Sequence, residues 1–278
     1  MVPRLPVLPM MNARQRANDR SRLSYDRRQM WLVSDQGHRL SLIHAVEETE
    51  DHFLRWYNSQ YGQDEHEHVS VFIDNLIQHA NAISEQPNRN DKHQTTTPTV
   101  LVQIRRVPRR APAGLPQEGG TCGWHCDLGV IFRANVPDFA AADRITLIQA
   151  KKIAPPHLAV GIDRHQMDRL IEKSPHAHYL FFVHRSFLPN RWQRPCTVFL
   201  PALTVADILR AQNSDTIPVD VVLAAGKDLR AFLLQDIVGL WTGDPNPDLI
   251  TQARRGNEVG QGPLELVELE LTFKGKSQ

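Results

Sequence analysis

Cysteine is scarce in this chain: Cys122, Cys126 and Cys196 are the only three in 278 residues, and they are irregularly spaced. That excludes a secreted disulfide framework and suits a reducing compartment. Long apolar runs are also missing, none approaching the roughly 18 residues needed to cross a bilayer. The opening MVPRLPVLPMM places prolines where a signal peptide needs a helical apolar core. The expectation is a cytoplasmic protein with no membrane partner. No Walker lysine loop, GxGxxG, HExxH or GxSxG occurs. Nucleotide hydrolysis, dinucleotide binding, zincin chemistry and α/β-hydrolase chemistry therefore lack their usual carriers.

What is present is ordinary globular material, with 41% hydrophobic and 23% charged residues, enough for one large α/β domain that needs no staples. The net charge of +1 hides a basic leader. Residues 1–30 hold Arg4, Arg14, Arg16, Arg20, Arg22, Arg27 and Arg28 against Asp19 and Asp26, and suit a solvated arm or a nucleic-acid contact. After an extended WLVSD, HAVEETEDHFLRWYNSQYG reads as a helix. From Asp64 to Ser84 apolar residues recur at Val69, Phe72, Ile73, Leu76, Ile77, Ala80 and Ile83, the spacing of one buried helical face.

Strand patterns follow in TVLVQIRRV, in CDLGVIFRA at 126–134 and in RITLIQAKKI at 144–153. A helix with Ile162, Met167, Leu170 and Ile171 comes next, then the strand AHYLFFVHRS. Beyond it lie a strand at CTVFLPA, a helix begun by Thr204, a helix in DLRAFLLQDIVGLW ended by Gly243, and a strand in LELVELELTF. Arg254 to Gly262 reads as a flexible loop or hairpin.

Side chains alternate along a strand, so Gln149 and Lys151 share one face of ITLIQAKKI while Ile148 and Ala150 take the other. Burying an amide and an ammonium there is costly without partners, and the preceding strand offers Asp127. A carboxylate, an amide oxygen and a lysine at one spot suit phosphodiester hydrolysis. Asp127 would hold a hard cation such as Mg²⁺, and Lys151 would orient water or stabilise the transition state. A competing arrangement has Lys151 and Lys152 snorkelling from an edge strand while Gln149 caps a backbone group.

GWHCDLGVIF followed by ITLIQAKKI, and then by DRHQMDRLIEKSPHAHYLFFVHRS, resembles the PD-(D/E)XK nuclease superfamily in its Mrr-like QxK variant. The resemblance covers roughly residues 64 to 186. It implies an α/β fold with a restriction-endonuclease-like αβββαβ core, a mixed central sheet flanked by helices, and N- and C-terminal additions. In this division residues 1–60 are the basic segment and an accessory helix, 61–190 the core, and 191–278 an α/β extension packed on it. It also implies that Asp127, Gln149 and Lys151 are catalytic, that Asp127, Gln149 and Ala150 hold Mg²⁺ or Mn²⁺, and that a first-helix carboxylate assists. Glu67 is the candidate for that carboxylate, with Glu65 and Glu118 as competitors.

Arg105, Arg106, Arg109 and Arg110, in or before the proline-rich loop, together with Lys152 and Gln166, are candidates for nucleic-acid contact. The arginines equally suit a solvated loop and Gln166 an exposed helix position. The activity implied is endonucleolytic cleavage of DNA, with RNA as the alternative substrate, in a bacterial anti-phage defence or restriction effector. Such an effector would work beside a sensor or ATPase partner, or as a homo-oligomer. Two rivals stand beside it: a catalytically inactive nucleic-acid-binding or assembly module with the same fold, and a ribonuclease toxin. CGWHC could separately contribute soft ligands to a zinc site with Cys196 or a histidine, although its spacing is not that of a zinc knuckle.

Overall fold

The computed structural model describes residues 36–84, 99–109, 124–135, 142–188, 196–258 and 262–274. The chain divides into two units, Met1–Leu40 and Ser41–Gln278. Of the first, only the opening turn of one helix is described. The basic leader, WLVSD, Arg110, Glu118 and Cys122 lie outside the described residues.

Helix α1 spans Gln36–Gln60 and α2 spans Glu65–Ser84. On α1, Val46, Thr49, Phe53 and Tyr57 are buried at spacings of three and four; on α2, Val69, Phe72, Ile73, Leu76 and Ala80 are. Each helix thus buries one apolar stripe against the sheet. Phe53 and Phe72 meet edge to face at 5.5 Å and both rings approach Phe182. The Tyr57 hydroxyl donates to the Phe182 carbonyl at 3.0 Å, tying α1 to the middle of the sheet.

Strands β1 (Thr99–Arg106), β2 (Leu128–Asn135) and β3 (Ala142–Ile153) come next, then β4 (Ala159–Gly161), helix α3 (Arg164–Lys173) and β5 (His178–Val183). The expected order of helix, three strands, helix and strand recurs, with the short β4 as an addition between β3 and α3. β6 (Thr197–Pro201) leads into α4 (Ala202–Gln212), followed by β7 (Thr216–Pro218), α5 (Val219–Ala225) and β8 (Lys227–Asp228). A helical turn, α6 (Leu229–Ala231), runs into a π-helical segment at Phe232–Ile237; α7 (Pro247–Glu258) and β9 (Glu265–Lys274) complete the chain.

Seven strands form one mixed sheet in the order β1-β9-β2-β3-β5-β6-β8, while β4 and β7 form a separate pair. β3 pairs antiparallel with β2 over Ala142–Ile148 and parallel with β5 over Ile148–Ile153, so Lys151 and Lys152 are paired on the β5 side. β9 lies between β1 and β2, antiparallel to the first and parallel to the second. A strand from the expected C-terminal extension is thus hydrogen-bonded on both sides within the main sheet. Gly129 permits the close approach: a Cβ there would stand 2.8 Å from Leu266 Cδ1 and 3.1 Å from Pro263 Cγ.

One face of the sheet carries Ile145, Leu147, Ile153, Tyr179, Phe181 and Leu200 into a core closed by Met167 and Leu170 of α3, Val205 and Leu209 of α4, and Ile250 and Ala253 of α7. The opposite face, with Phe182, meets α1 and α2. Three sequence expectations need correction. Helix α4 begins at Ala202 after Pro201 rather than at Thr204. The segment expected to be one helix ending at Gly243 is a short turn passing into the π-helix. Arg254 to Glu258, expected to be loop, is the last part of α7.

Candidate active site

Asp127 sits where β2 begins, and its main chain is held on both sides. Its N–H donates to the Ile148 carbonyl at 3.0 Å, and its carbonyl accepts from Glu265 N–H at 2.8 Å. β3 and β9 together therefore fix the point from which the carboxylate projects. That carboxylate is buried, and Oδ2 accepts from the Ala150 N–H at 2.7 Å and from Gln149 Nε2 at 2.5 Å. The same Nε2 approaches the Ala150 carbonyl at 3.3 Å. Gln149 is 3% exposed, and its Oε1 accepts from Gln166 Nε2 at 3.0 Å.

A chain of polar groups thus runs from α3 through β3 to the head of β2. The amide nitrogen of Gln149 is the partially positive group between two oxygens, the Asp127 carboxylate and the Ala150 carbonyl. Helix α3 is placed by Met167 and Leu170 in the core and capped by Asp163, whose carboxylate accepts from the Gln166 main-chain N–H at 3.1 Å.

Burial pushes the Asp127 carboxyl up to about 6; the Ala150 hydrogen bond and the Lys151 ammonium pull it down, Glu65 pushes it further up, and His66 lowers it. Lys151 is half-buried on the Gln149 face, and among the described residues no hydrogen bond or ion pair engages its ammonium. Lys152 points to the other face, where Nζ donates to the Gln63 carbonyl at 2.5 Å. The two adjacent lysines are thereby separated in role: one is spent on the α1–α2 turn, and the other remains beside the carboxylate.

The first-helix carboxylate that Asp127 feels is Glu65 rather than Glu67. Glu67 is exposed, with its N–H held by Asp64 Oδ1 at 2.8 Å, whereas Glu65 is half-buried and within electrostatic reach of Asp127. Arg105 and Arg106, at the end of β1, are held in ion pairs within the fold. Arg105 pairs with Glu268 at 2.5 Å, and Arg106 pairs with Glu265 and Asp74, each at 3.2 Å. Arg109 is exposed just beyond β1. For zinc, Cys126 packs in the α3-side core while Cys196 lies near Glu50 and Tyr57 of α1, so the two thiols do not converge.

Tyr179 was not singled out from the sequence. It pairs in register with Gln149 on the neighbouring parallel strand, so both project from the same face. Its buried hydroxyl has no hydrogen-bond partner among the described residues. Burial, with Asp163, Asp127 and Asp168 nearby, pushes its phenol well above the ordinary range. Alternation could have placed it only if the β3–β5 register were known.

The groups able to hold a cation are the Asp127 carboxylate, the Ala150 carbonyl and, with its oxygen inward, the Gln149 amide. All are hard oxygen donors of the kind Mg²⁺ takes alongside several waters. Among the described residues, no three His, Cys, Asp or Glu side chains gather closely enough to hold a metal ion together. Among the described residues a cation here would rest on a single carboxylate. The donors fit Mg²⁺ or Mn²⁺ in chemical type, and their number implies weak binding. Protein-family models, curated proteins and solved structures gave no match to this chain.

Proposed function

We propose that the chain is a divalent-metal-dependent nuclease that hydrolyses phosphodiester bonds, with DNA as the preferred substrate. The observation that carries this reading is the convergence of Asp127, Gln149 and the Ala150 carbonyl within the sheet, within electrostatic reach of a Lys151 ammonium that no hydrogen bond or ion pair holds among the described residues. A fold rarely buries a carboxylate and an amide together, with a half-buried lysine beside them, unless the group has work to do, since removing polar groups from water costs free energy.

Bound Mg²⁺ or Mn²⁺ would supply an acidified water and would offset charge growing on the phosphate. The protein's own part is separable from that. Asp127, clamped by β3 and β9, would anchor the cation with the Ala150 carbonyl. Gln149, once its amide is turned to face the site with its oxygen, would add a donor without adding charge, leaving the site's net negative charge low enough to admit a phosphate. Lys151 lies on the same strand face as Gln149, so it can hydrogen-bond the attacking water or a non-bridging phosphate oxygen as negative charge accumulates there. The resemblance of the sequence motifs to Mrr-like enzymes adds the proposed setting, an effector in bacterial anti-phage defence or restriction that acts with a sensor or ATPase partner.

One observation favours a second reading, a nucleic-acid-binding or assembly module without catalysis. The Gln149 amide nitrogen already satisfies the two oxygens that a cation would need. Supercoiled plasmid, single-stranded DNA and total RNA, each incubated with Mg²⁺ and the full chain, decide between the readings. The nuclease cuts plasmid, and Lys151→Ala lowers the rate by about 10²–10³-fold while DNA affinity is kept. Cleavage of RNA alone would indicate a ribonuclease, and the absence of Asp127-dependent cleavage of any substrate would overturn the enzymatic reading.

A further inference from the structure

Gln149 presents its nitrogen to Asp127 Oδ2 and the Ala150 carbonyl, and its oxygen to Gln166. An amide turned over would aim its oxygen at those two acceptors, which is repulsive unless a cation stands among them. Each orientation also makes a demand on Gln166. With the nitrogen inward, Gln149 needs a donor at that position; with the oxygen inward, it needs an acceptor. A glutamine satisfies both by rotating its own amide, at no change in charge.

We infer that Gln166 is a positioning residue that sets which end of the Gln149 amide faces the Asp127–Ala150 oxygen pair, and thereby controls admission of a divalent cation. The inference rests on the metal-dependent reading above. It assigns Gln166 a function different from nucleic-acid contact: its side chain is half-buried against β3, with its amide directed at Gln149. In the cation-free arrangement Gln166 donates and holds the site closed. When a cation is bound, the pair turns together, and Gln166 accepts from the Gln149 NH₂ group. Because Gln149 is 3% exposed, water is poorly placed to substitute for Gln166 in either state.

Substitutions that can only accept or only donate should push the pair in opposite directions. Gln166→Glu can only accept when ionised, so it favours the cation-admitting orientation. Gln166→Lys can only donate, so it favours the closed one. Each also changes charge, and the same two substitutions at the adjacent exposed His165 supply that change without touching Gln149. The measurement is Mn²⁺ affinity of the full chain by titration calorimetry, for the parent, Asp127→Asn and the four variants.

The expected result is Mn²⁺ binding that Asp127→Asn abolishes. Gln166→Glu should tighten it about three- to tenfold beyond His165→Glu, and Gln166→Lys should weaken it about three- to tenfold beyond His165→Lys, the range that one net hydrogen bond spans. Equal effects at positions 165 and 166, or effects in the reverse direction, would overturn the role of Gln166 while leaving the cation site in place. Mn²⁺ binding that is absent, or indifferent to Asp127→Asn, would overturn the cation site itself and this inference with it. Calorimetry separates these outcomes from any loss of cleavage.

Discussion

Asp127 is a carboxylate for whose oxygens a proton and the proposed cation would compete. With the carboxyl pushed up to about 6, cation binding should fall about tenfold for each pH unit below that value, and level off above it. Glu65 contributes to the elevation because a neighbouring negative charge disfavours ionisation. Glu65→Gln should therefore move the midpoint of Mn²⁺ binding to lower pH, and Glu67→Gln should leave it in place. An equal shift in both variants would remove the distinction between the two glutamates. At this scale much of the site was legible: strand alternation aligned Gln149 with Lys151 and turned Lys152 away, and the preceding strand offered Asp127. The choice between Glu65 and Glu67 was not legible, because an exposed and a half-buried position on the first helical turn differ only in which way the helix is rotated against the sheet.

At the scale of elements, Arg105 and Arg106 show what local pattern leaves out. Arg105 and Arg106 read as phosphate contacts because their partners, Glu268 and Glu265, lie about 160 residues away on β9. Periodicity identifies a strand without naming its neighbours, so the insertion of β9 between β1 and β2 was invisible. So was the π-helical stretch, whose apolar spacing suits an ordinary helix. Glu268 also binds Arg254 of α7, and so joins β1, β9 and α7 through one side chain. Burial alone would raise its carboxyl, but hydrogen bonds from Arg254 and Arg105 hold it below the ordinary range. Glu268→Gln should cost about 1–3 kcal/mol, chiefly by leaving the less exposed Arg254 without its counter-charge. Arg105 is 59% exposed, so Arg105→Ala should cost under about 1 kcal/mol. Chemical denaturation of both variants checks the order, and a larger loss in Arg105→Ala would place the weight of the network on β1.

For the whole molecule, the shifted groups among the described residues act on stability in opposite senses along the pH axis. Burial holds the His178 imidazole down at about 4, so the unfolded chain takes up a proton that the folded chain refuses, and stability is lost as pH falls from 6.5 toward 4. His68, His79 and His184 are lowered as well, and act in the same sense below 6.5. Asp127, raised to about 6, acts in the opposite sense, with its stabilising proton lost between 3.8 and 6. Cys196, Tyr57 and Tyr179 are raised from values of 9.0 or 10.0, and so matter only in alkali. Glu50 is different. Burial between α1 and β6 pushes it up to about 8; the Thr197 hydroxyl donates to it and lowers it, and Asp228 raises it again. The folded chain keeps a proton that the unfolded chain releases above 4.5, so Glu50 contributes stability that is complete below 4.5 and lost as pH rises to 8. Among the described residues Glu50 is the group whose folded-state titration falls between 6.5 and 8. Its contribution there falls by up to about 1.4 kcal/mol per pH unit, easing as 8 is approached, while the lowered histidines oppose it near 6.5; the parent should therefore lose stability relative to Glu50→Gln, which keeps a neutral hydrogen-bonding side chain and the same histidines. Denaturant unfolding at pH 6.5, 7.2 and 8 measures the slope, and a decline of the same steepness in Glu50→Gln would show that the buried acid is not its source.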